Sequence, residues 1–159
     1  MTETELDQIN LGILYLLQRD ARHHTTAEIG EQVGLSASAV GNRIRTLEDR
    51  GIIKGYHPTV DYEQTGFEHH LLVSATAPFE QREQVVEAVE EITGVAHIRK
   101  MLTDDQNIVV EIIGRTRDEL KETIHGLHEA GLSVDRMDII EDEISQPFNH
   151  VGRTVVEPE

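Results

Sequence analysis

The sequence predicts an α+β protein: an N-terminal helix-turn-helix domain of winged-helix-like type, joined to a C-terminal ferredoxin-like βαββαβ domain. Two amphipathic helical segments, separated by a glycine and a serine, follow one another over residues 26–45. Beyond residue 68, strand and helix patterns alternate in the order β-α-β-β-α-β. The length of 159 residues suits two small domains of this kind.

The first domain covers residues 1–57 and begins with a helix. Apolar residues over positions 5–19 recur at helical spacing on one face, and Glu3 or Thr4 is placed to begin this helix. The apolar pair at positions 52–53 predicts a short strand at the end of the domain.

Two further helices form the predicted helix-turn-helix. Thr25 or Thr26 is placed to cap the second helix, and Glu28 is placed to reach back and complete a capping box. Gly34 supplies the left-handed residue that the turn needs. Ser36 caps the third helix, which runs to about residue 50.

The third helix has an outer face suited to the major groove of DNA. At 100° per residue, Ser38, Asn42 and Arg45 point away from its apolar stripe. Asn42 suits adenine and Arg45 suits guanine, whereas Arg43 and Arg50 lie on the flank, where phosphate contacts are expected. The alternative for each residue is an ordinary solvated helix position. The candidate DNA contacts are Thr26, Ser36, Ser38, Asn42, Arg43, Arg45 and Arg50.

The remainder of the chain divides into a linker, a second domain and a tail. Residues 58–67 form the predicted linker, 68–145 a regulatory and dimerisation domain, and 146–159 a C-terminal tail or an arm exchanged between copies. The predicted elements of the second domain are strands over 69–77, 95–102, 108–113 and 134–144, and helices over 80–93 and 116–131.

The charge is unusual for a nucleic-acid binder, which is expected to be basic. The chain carries 14 Lys+Arg against 30 Asp+Glu, a formal net charge of −16. Through His57 there are six basic and eight acidic residues, so most of the negative charge lies beyond the proposed DNA-binding domain. The acidic composition therefore does not exclude DNA as a partner.

Only three basic residues are lysines: Lys54, Lys100 and Lys121. Many acids with few lysines are typical of proteins from salt-loving microbes, and we interpret the chain as one from a halophilic archaeon. In molar salt the screening length falls to about 3 Å, so a high net charge repels itself little. The alternative is an acidic protein of an ordinary cytoplasm.

Other compositional features predict a soluble cytoplasmic protein. The N-terminal residues are polar and acidic, unlike a signal peptide, and no apolar run approaches the ~18 residues of a membrane span. The chain has no cysteine, hence no disulfide or thiolate metal site, and we expect no cofactor.

Several short motifs occur in a fixed order along the chain. They are Leu6-Asp7, Ile13-Leu14, Asp20-Ala21-Arg22, Val33-Gly34-Leu35-Ser36, Arg43-Ile44, Leu47-Glu48, Gly51-Ile52-Ile53 and Gly55-Tyr56. With these motifs and the βαββαβ half, residues 5–144 resemble the Lrp/AsnC family of "feast/famine" transcription regulators. The resemblance implies a homodimer formed by the sheets of the second domain, which often assembles into tetramers or octamers. It also implies a pseudo-palindromic DNA site and an amino-acid effector.

The resemblance places the effector site at the turn between the second and third strands of the second domain. The corresponding residues here are Met101, Thr103, Asp104 and Asp105. Asp104 stands where effector-binding members typically have a glycine, and its carboxylate would repel a ligand carboxylate. The chain also has Asn10 where many members have aspartate.

Nine histidines raise two rival hypotheses. His125 and His128 have the spacing of a metal pair on a helix but lack a third ligand in the sequence, so we assign no metal site. Siroheme decarboxylases share this two-domain architecture, and His97, Arg99 and Lys100 resemble a site for tetrapyrrole carboxylates. A third hypothesis is an effector-binding module that no longer binds DNA. We expect a regulator and not an enzyme.

Overall fold

A computed structural model describes residues 6–148 and 151–157. The chain divides into two units, one made of Met1–Pro58 with Ile144–Glu159 and the other of Thr59–Glu143. The α+β class predicted from the sequence is confirmed, since the first unit is helical and the second holds a sheet with helices. Within the described ranges, no helix is both long and apolar enough to cross a membrane.

The first unit is built around the three helices predicted from the sequence. Their inward residues form one core, in which Ile13, Leu16, Ile29, Val40 and Leu47 are fully buried. The first helix begins at Gln8 and is capped by Asp7, so the start predicted at Glu3 or Thr4, which lie outside the described residues, is wrong. The helices are α1 (Gln8–Asp20), α2 (Thr26–Val33) and α3 (Ala37–Asp49).

The turn between α2 and α3 follows from its small residues. Gly34 has φ 75° and ψ 33°, the left-handed conformation that ends α2. Gly30 lies so close to the carbonyl oxygen of Leu35 that any β-carbon would collide with it. Ser36 Oγ then accepts a hydrogen bond from Ala39 N at 3.2 Å and caps α3.

The strand predicted at Ile52 and Ile53 is not present. The N–H groups of both residues donate to the carbonyl oxygen of Leu47, at 2.9 and 3.1 Å, and both side chains pack against the core of the first unit. The backbone N–H groups that a strand would use are therefore already bonded to the end of α3. Apolar content alone does not distinguish these two outcomes.

The second unit is a four-stranded antiparallel sheet in the order β2-β3-β1-β4, with two helices packed on one face. This is the βαββαβ arrangement predicted from the sequence. The elements are β1 (His69–Thr76), α4 (Arg82–Glu90), β2 (Val95–Lys100), β3 (Ile108–Gly114), α5 (Arg117–Glu129) and β4 (Ser133–Ile139).

The two faces of this sheet differ in what covers them. Val73, Val110 and Ile112 are completely buried against α4 and α5. Because side chains alternate along strands, their neighbours lie on the opposite face, away from the core that α4 and α5 cover. We call this the open face. Strand pairing assigns to it Leu72, Ser74, His97, Arg99, Val109, Glu111, Arg136 and Asp138.

The segment assigned to a C-terminal tail folds onto the first unit. It contains α6 (Val151–Val156), which packs against α1. Gly152 lies against the carbonyl oxygen of Leu11, and Val155 Cγ1 would lie 3.1 Å from a β-carbon on Gly12. The six-residue helix is too short for its periodicity to show in the sequence. Residues 59–67, assigned to a linker, belong to the second unit.

Candidate nucleic-acid interface

The outer face of α3 is exposed, and its inner face is buried. Ser38, Asn42 and Arg45 are all exposed, whereas Val40 and Leu47 are buried on the core side. Arg45 Nη1 donates to Asn42 Oδ1 at 3.3 Å, so two side chains that suit base edges lie together. The structure thus brings together the three residues that the sequence assigns to base contacts.

Arg43 has a partner within the chain. Its Nη1 lies 2.6 Å from Asp7 Oδ2 and 2.9 Å from Asn10 Oδ1. Burial raises the pKa of Asp7, but the Asn10 N–H and the Arg43 guanidinium outweigh it and hold that pKa below its usual value. The phosphate contact of Arg43 stays a prediction, and this ion pair gives the residue a competing structural role.

Asn10 is the functional neighbour that the sequence did not identify. Its side-chain oxygen accepts from Arg43, and its backbone N–H donates to Asp7 Oδ1 at 2.7 Å. The only signal in the sequence was its departure from the aspartate common in the resembling family. An amide at this position accepts from Arg43 without adding a second negative charge beside Asp7.

The start of α2 is occupied by its own cap. Thr25, and not Thr26, caps the helix, and Glu28 Oε2 accepts from Thr25 N and Oγ1 at 2.8 Å each. The Thr25 backbone N–H and hydroxyl, as the strongest influences, lower the pKa of Glu28. A phosphate approaching Thr26 would therefore meet a carboxylate. The DNA contact of Thr26 stays a prediction.

Ser36 and Arg50 stand at the two ends of α3 and are exposed. The Ser36 oxygen already accepts from Ala39 N, so only its hydroxyl hydrogen is left to donate to a phosphate. Beyond α3, Tyr56 donates its hydroxyl to Glu48 Oε1 at 2.8 Å. Burial, followed by this bond, raises the pKa of Tyr56 to about 12.

The candidate effector residues lie in the β2–β3 hairpin. Met101 N donates to Asn107 O at 2.8 Å, and Thr103 Oγ1 donates to Asp105 O at 2.7 Å. Asp104 and Asp105 are exposed, so the turn presents two carboxylates to solvent. The hairpin therefore has a negative rim.

Asn107 fixes the base of the hairpin. It is 1% exposed, and its side chain both accepts from Ala77 N and donates to Ala77 O, each at 2.9 Å. An aspartate could not make the second bond, because an ionised carboxylate has no donor. The sequence contained no signal for this clamp, since Ala77 lies 30 residues away.

The three residues proposed for a tetrapyrrole site do not converge. His97 Nδ1 and Arg99 Nη1 lie 3.3 and 3.5 Å from Glu111 Oε2 on the open face. Lys100 pairs with Glu83 at 2.8 Å, on the side of the sheet where α4 packs. These side chains already have acidic partners within the chain, and the partners lie in different places.

The paired histidines of α5 also have other neighbours. His125 Nδ1 lies 3.9 Å from Glu129 Oε2, and His128 Nδ1 lies 3.1 Å from Leu132 O. Across residues 6–148 and 151–157, no group of three His, Cys, Asp or Glu side chains is arranged to hold a metal ion.

Comparison with known sequences identifies the first unit. Residues 6–54 match the family described as winged helix-turn-helix DNA-binding. This range contains α1 to α3 and ends just beyond the segment that packs against them. The match covers both the turn and the helix with the exposed polar face.

Three relatives extend the comparison. The HTH-type transcriptional regulator LrpA of Pyrococcus horikoshii is 30% identical over 121 residues, 75% of this chain and 83% of that protein. The HTH-type transcriptional regulator LrpB of Bacillus subtilis is 46% identical over 63 residues, 40% of this chain and 42% of that protein. The Mycobacterium tuberculosis leucine response regulatory protein (LrpA) supports the fold, with TM-score 0.76, 24% identity and coverage of 92% of this chain and 99% of that one.

Proposed function

Because the chain belongs to the Lrp family of helix-turn-helix transcription regulators, we propose that it binds pseudo-palindromic promoter sites as a dimer, with α3 of each copy in the major groove. It is a DNA-binding regulator and not an enzyme. The observation that carries the proposal is the exposed cluster of Ser38, Asn42 and Arg45 on one face of α3.

The open face supports dimerisation through the second unit. Its central strands present Leu72 and Val109, both half-buried, on either side of Glu111, which is 2% exposed. Sheets with one uncovered face commonly pack face to face, which removes such apolar side chains from water. We propose this packing between two copies, and it places two α3 helices on one DNA molecule.

We propose the β2–β3 hairpin as the site of a small effector. Leu102 is 96% exposed there, and Met101 is also exposed, so the hairpin has apolar surface beside its two carboxylates. Negative charge favours the amino group of a ligand and disfavours its carboxylate. The preferred ligand is therefore one whose carboxylate is absent, masked or directed away from Asp104.

We further propose that the protein operates in molar salt, as expected of a halophilic archaeal protein. Its net charge of −16 and its three lysines support this proposal. Counterion release gives little affinity at such ionic strength. Base contacts and the joint action of two helices must then supply the binding energy.

The test begins with selection of preferred DNA from a random library in 2 M KCl, followed by binding curves for that DNA. Leu72→Glu introduces a charge in the centre of the open face, and Ile139→Glu is the matched control, since Ile139 is 82% exposed and pairs with Leu71 on the other face. We expect Leu72→Glu to be a folded monomer by light scattering, without detectable specific binding. A Leu72→Glu variant that stays dimeric, or a monomer that binds tightly, would contradict the proposal.

A further inference from the structure

Gly41 lies among the side chains that we assign to base contacts. It follows Ser38 by three residues and precedes Arg45 by four, and these spacings place all three on the same side of α3. Asn42 is its direct neighbour in the sequence. The exposed polar cluster therefore contains one position with no side chain.

The fold does not require a glycine at this position. A β-carbon built on Gly41 meets no heavy atom within 4 Å in the described part of the chain, apart from its own helix backbone and chain neighbours. Gly41 also has no positive φ, unlike Gly34. By contrast, a β-carbon on Gly30 would strike the Leu35 carbonyl oxygen.

Local energetics also disfavour a glycine here. Position 41 is the fifth residue of a 13-residue helix, and glycine is less favourable than alanine in a helix interior. The chain thus has an unfavourable residue at a half-buried helical site where a β-carbon would have open space, so the protein itself gives no steric reason for it. The reason for a glycine at this position therefore lies in the molecule that α3 contacts.

We infer that Gly41 determines specificity: the missing side chain leaves a notch between Ser38 and Arg45 that receives the C5-methyl group of a thymine in the major groove. Glycine lets a ligand approach the helix backbone closely, and its Cα–H surface is apolar enough for a methyl group. This inference rests on the proposed placement of α3 in the groove. Its effect is on base preference, because glycine offers no charge to a phosphate.

The test compares the full chain with Gly41→Ala. The variant adds one methyl group, and we expect its Tm to rise by a few degrees because alanine is the better helix former. For DNA selected with the original protein, we expect Kd to rise tenfold or more. Affinity for random DNA should stay within about twofold, since phosphate contacts are unchanged.

A second arm tests the base. Replacing single thymines of the selected site by uracil removes the methyl group, and at one position per half-site this should restore Gly41→Ala binding to within about threefold of the original. Unchanged affinity of Gly41→Ala, equal losses on selected and random DNA, a fall in Tm, or no restoring uracil position would each overturn the inference.

Arg45→Ala separates this inference from the proposed function. If Arg45→Ala loses specific binding while Gly41→Ala does not, α3 enters the groove and only the notch is wrong. If neither variant changes specific binding, the placement of α3 itself is wrong, and the inference falls with it.

Discussion

The guanidinium of Arg43 lies 2.6 Å from the carboxylate of Asp7, and this ion pair ties α3 to the N-terminal cap of α1. Two arginines two positions apart on α3 thus have different surroundings. Arg43 is committed within the protein, whereas Arg45 is exposed and contacts only Asn42 among the bonds described. Their substitutions should therefore have different effects.

Arg45→Ala should reduce the ratio of specific to random DNA affinity by about tenfold or more, because one good base contact contributes about 1–3 kcal/mol of discrimination. Thermal stability should stay the same, since the side chain is exposed. Binding curves with selected and random DNA at one salt concentration give the ratio.

Arg43→Ala should leave that ratio unchanged and lower the stability of the first unit. The ion pair is half exposed, so screening limits its contribution to about 1 kcal/mol or less. Asp7→Asn serves as the control, because it removes the same pair from the other side. Equal losses of the affinity ratio in Arg45→Ala and Arg43→Ala would contradict this division of roles.

Glu111→Gln should destabilise the protein near neutral pH, by about 1–3 kcal/mol. His70 Nε2 donates to Glu111 Oε1 at 2.6 Å, and His97 and Arg99 lie against the other oxygen. Burial raises the pKa of Glu111, but the hydrogen bond from His70 and the proximity of His97 and Arg99 outweigh it and hold that pKa below the usual 4.5. The carboxylate offers two accepting oxygens to these three side chains, whereas the amide of a glutamine offers only one.

The lowered pKa of Glu111 fixes the sign of its pH dependence. The stability that Glu111 contributes is fully present above pH 4.5, which is the pKa of a glutamate in the unfolded chain. This stability is lost as the pH falls through the lower pKa of Glu111 in the folded protein. Urea unfolding at fixed protein concentration measures the free energy of unfolding of the original protein and of Glu111→Gln. The difference between these two free energies should become smaller below pH 4.5. Glu87→Gln, which changes an exposed acid of α4, is the control. If the difference in free energy of unfolding between the original protein and Glu111→Gln stays constant below pH 4.5, protonation of Glu111 is not its cause.

Gly152→Ala should destabilise the first unit by about 1–3 kcal/mol, since the added methyl group would collide with the Leu11 carbonyl oxygen and approach Tyr15. Thermal unfolding and hydrogen exchange in α1 report the change. Gly41→Ala is the same substitution in open space and should not lower Tm. Similar responses of the two variants would show that α6 does not pack closely on α1.

Asp104→Gly should increase the affinity for free α-amino acids. The substitution removes a carboxylate from the hairpin rim and exposes backbone N–H groups to a ligand carboxylate. A calorimetric titration with a panel of amino acids measures the gain. Asp105→Asn tests whether the loss of any one negative charge on the hairpin is sufficient to increase the affinity for amino acids. Tight amino-acid binding by the unchanged protein would refute the role given to Asp104.

Local patterns in the sequence predicted most of the fold. The Thr25 capping box, Gly34 and the Ser36 cap act within a few residues, so each helix end is visible as a short motif. Short apolar runs likewise identified β1 and β3 as strands.

The features that the sequence did not reveal are long-range. The Arg43–Asp7 pair spans 36 residues, and the His70–Glu111 pair spans 41. Neither partner follows from periodicity, which reports burial and not which polar groups meet. The sequence did not reveal the packing of α6 for a related reason. The close approach of Gly152 to α1 depends on the shapes of two helices that are far apart in the sequence.

The return of the last helix to the first unit has a consequence for how the protein is made. A ribosome completes α1, α2 and α3 early, and then adds the whole second unit before it reaches α6. Because a ribosome adds about 5–20 residues per second, the α1 surface around Gly12 stays uncovered by α6 for several seconds during synthesis. DNA-binding helices would therefore reach full stability only after the sheet unit has been synthesised, so an incomplete chain would be a weaker competitor for operator DNA.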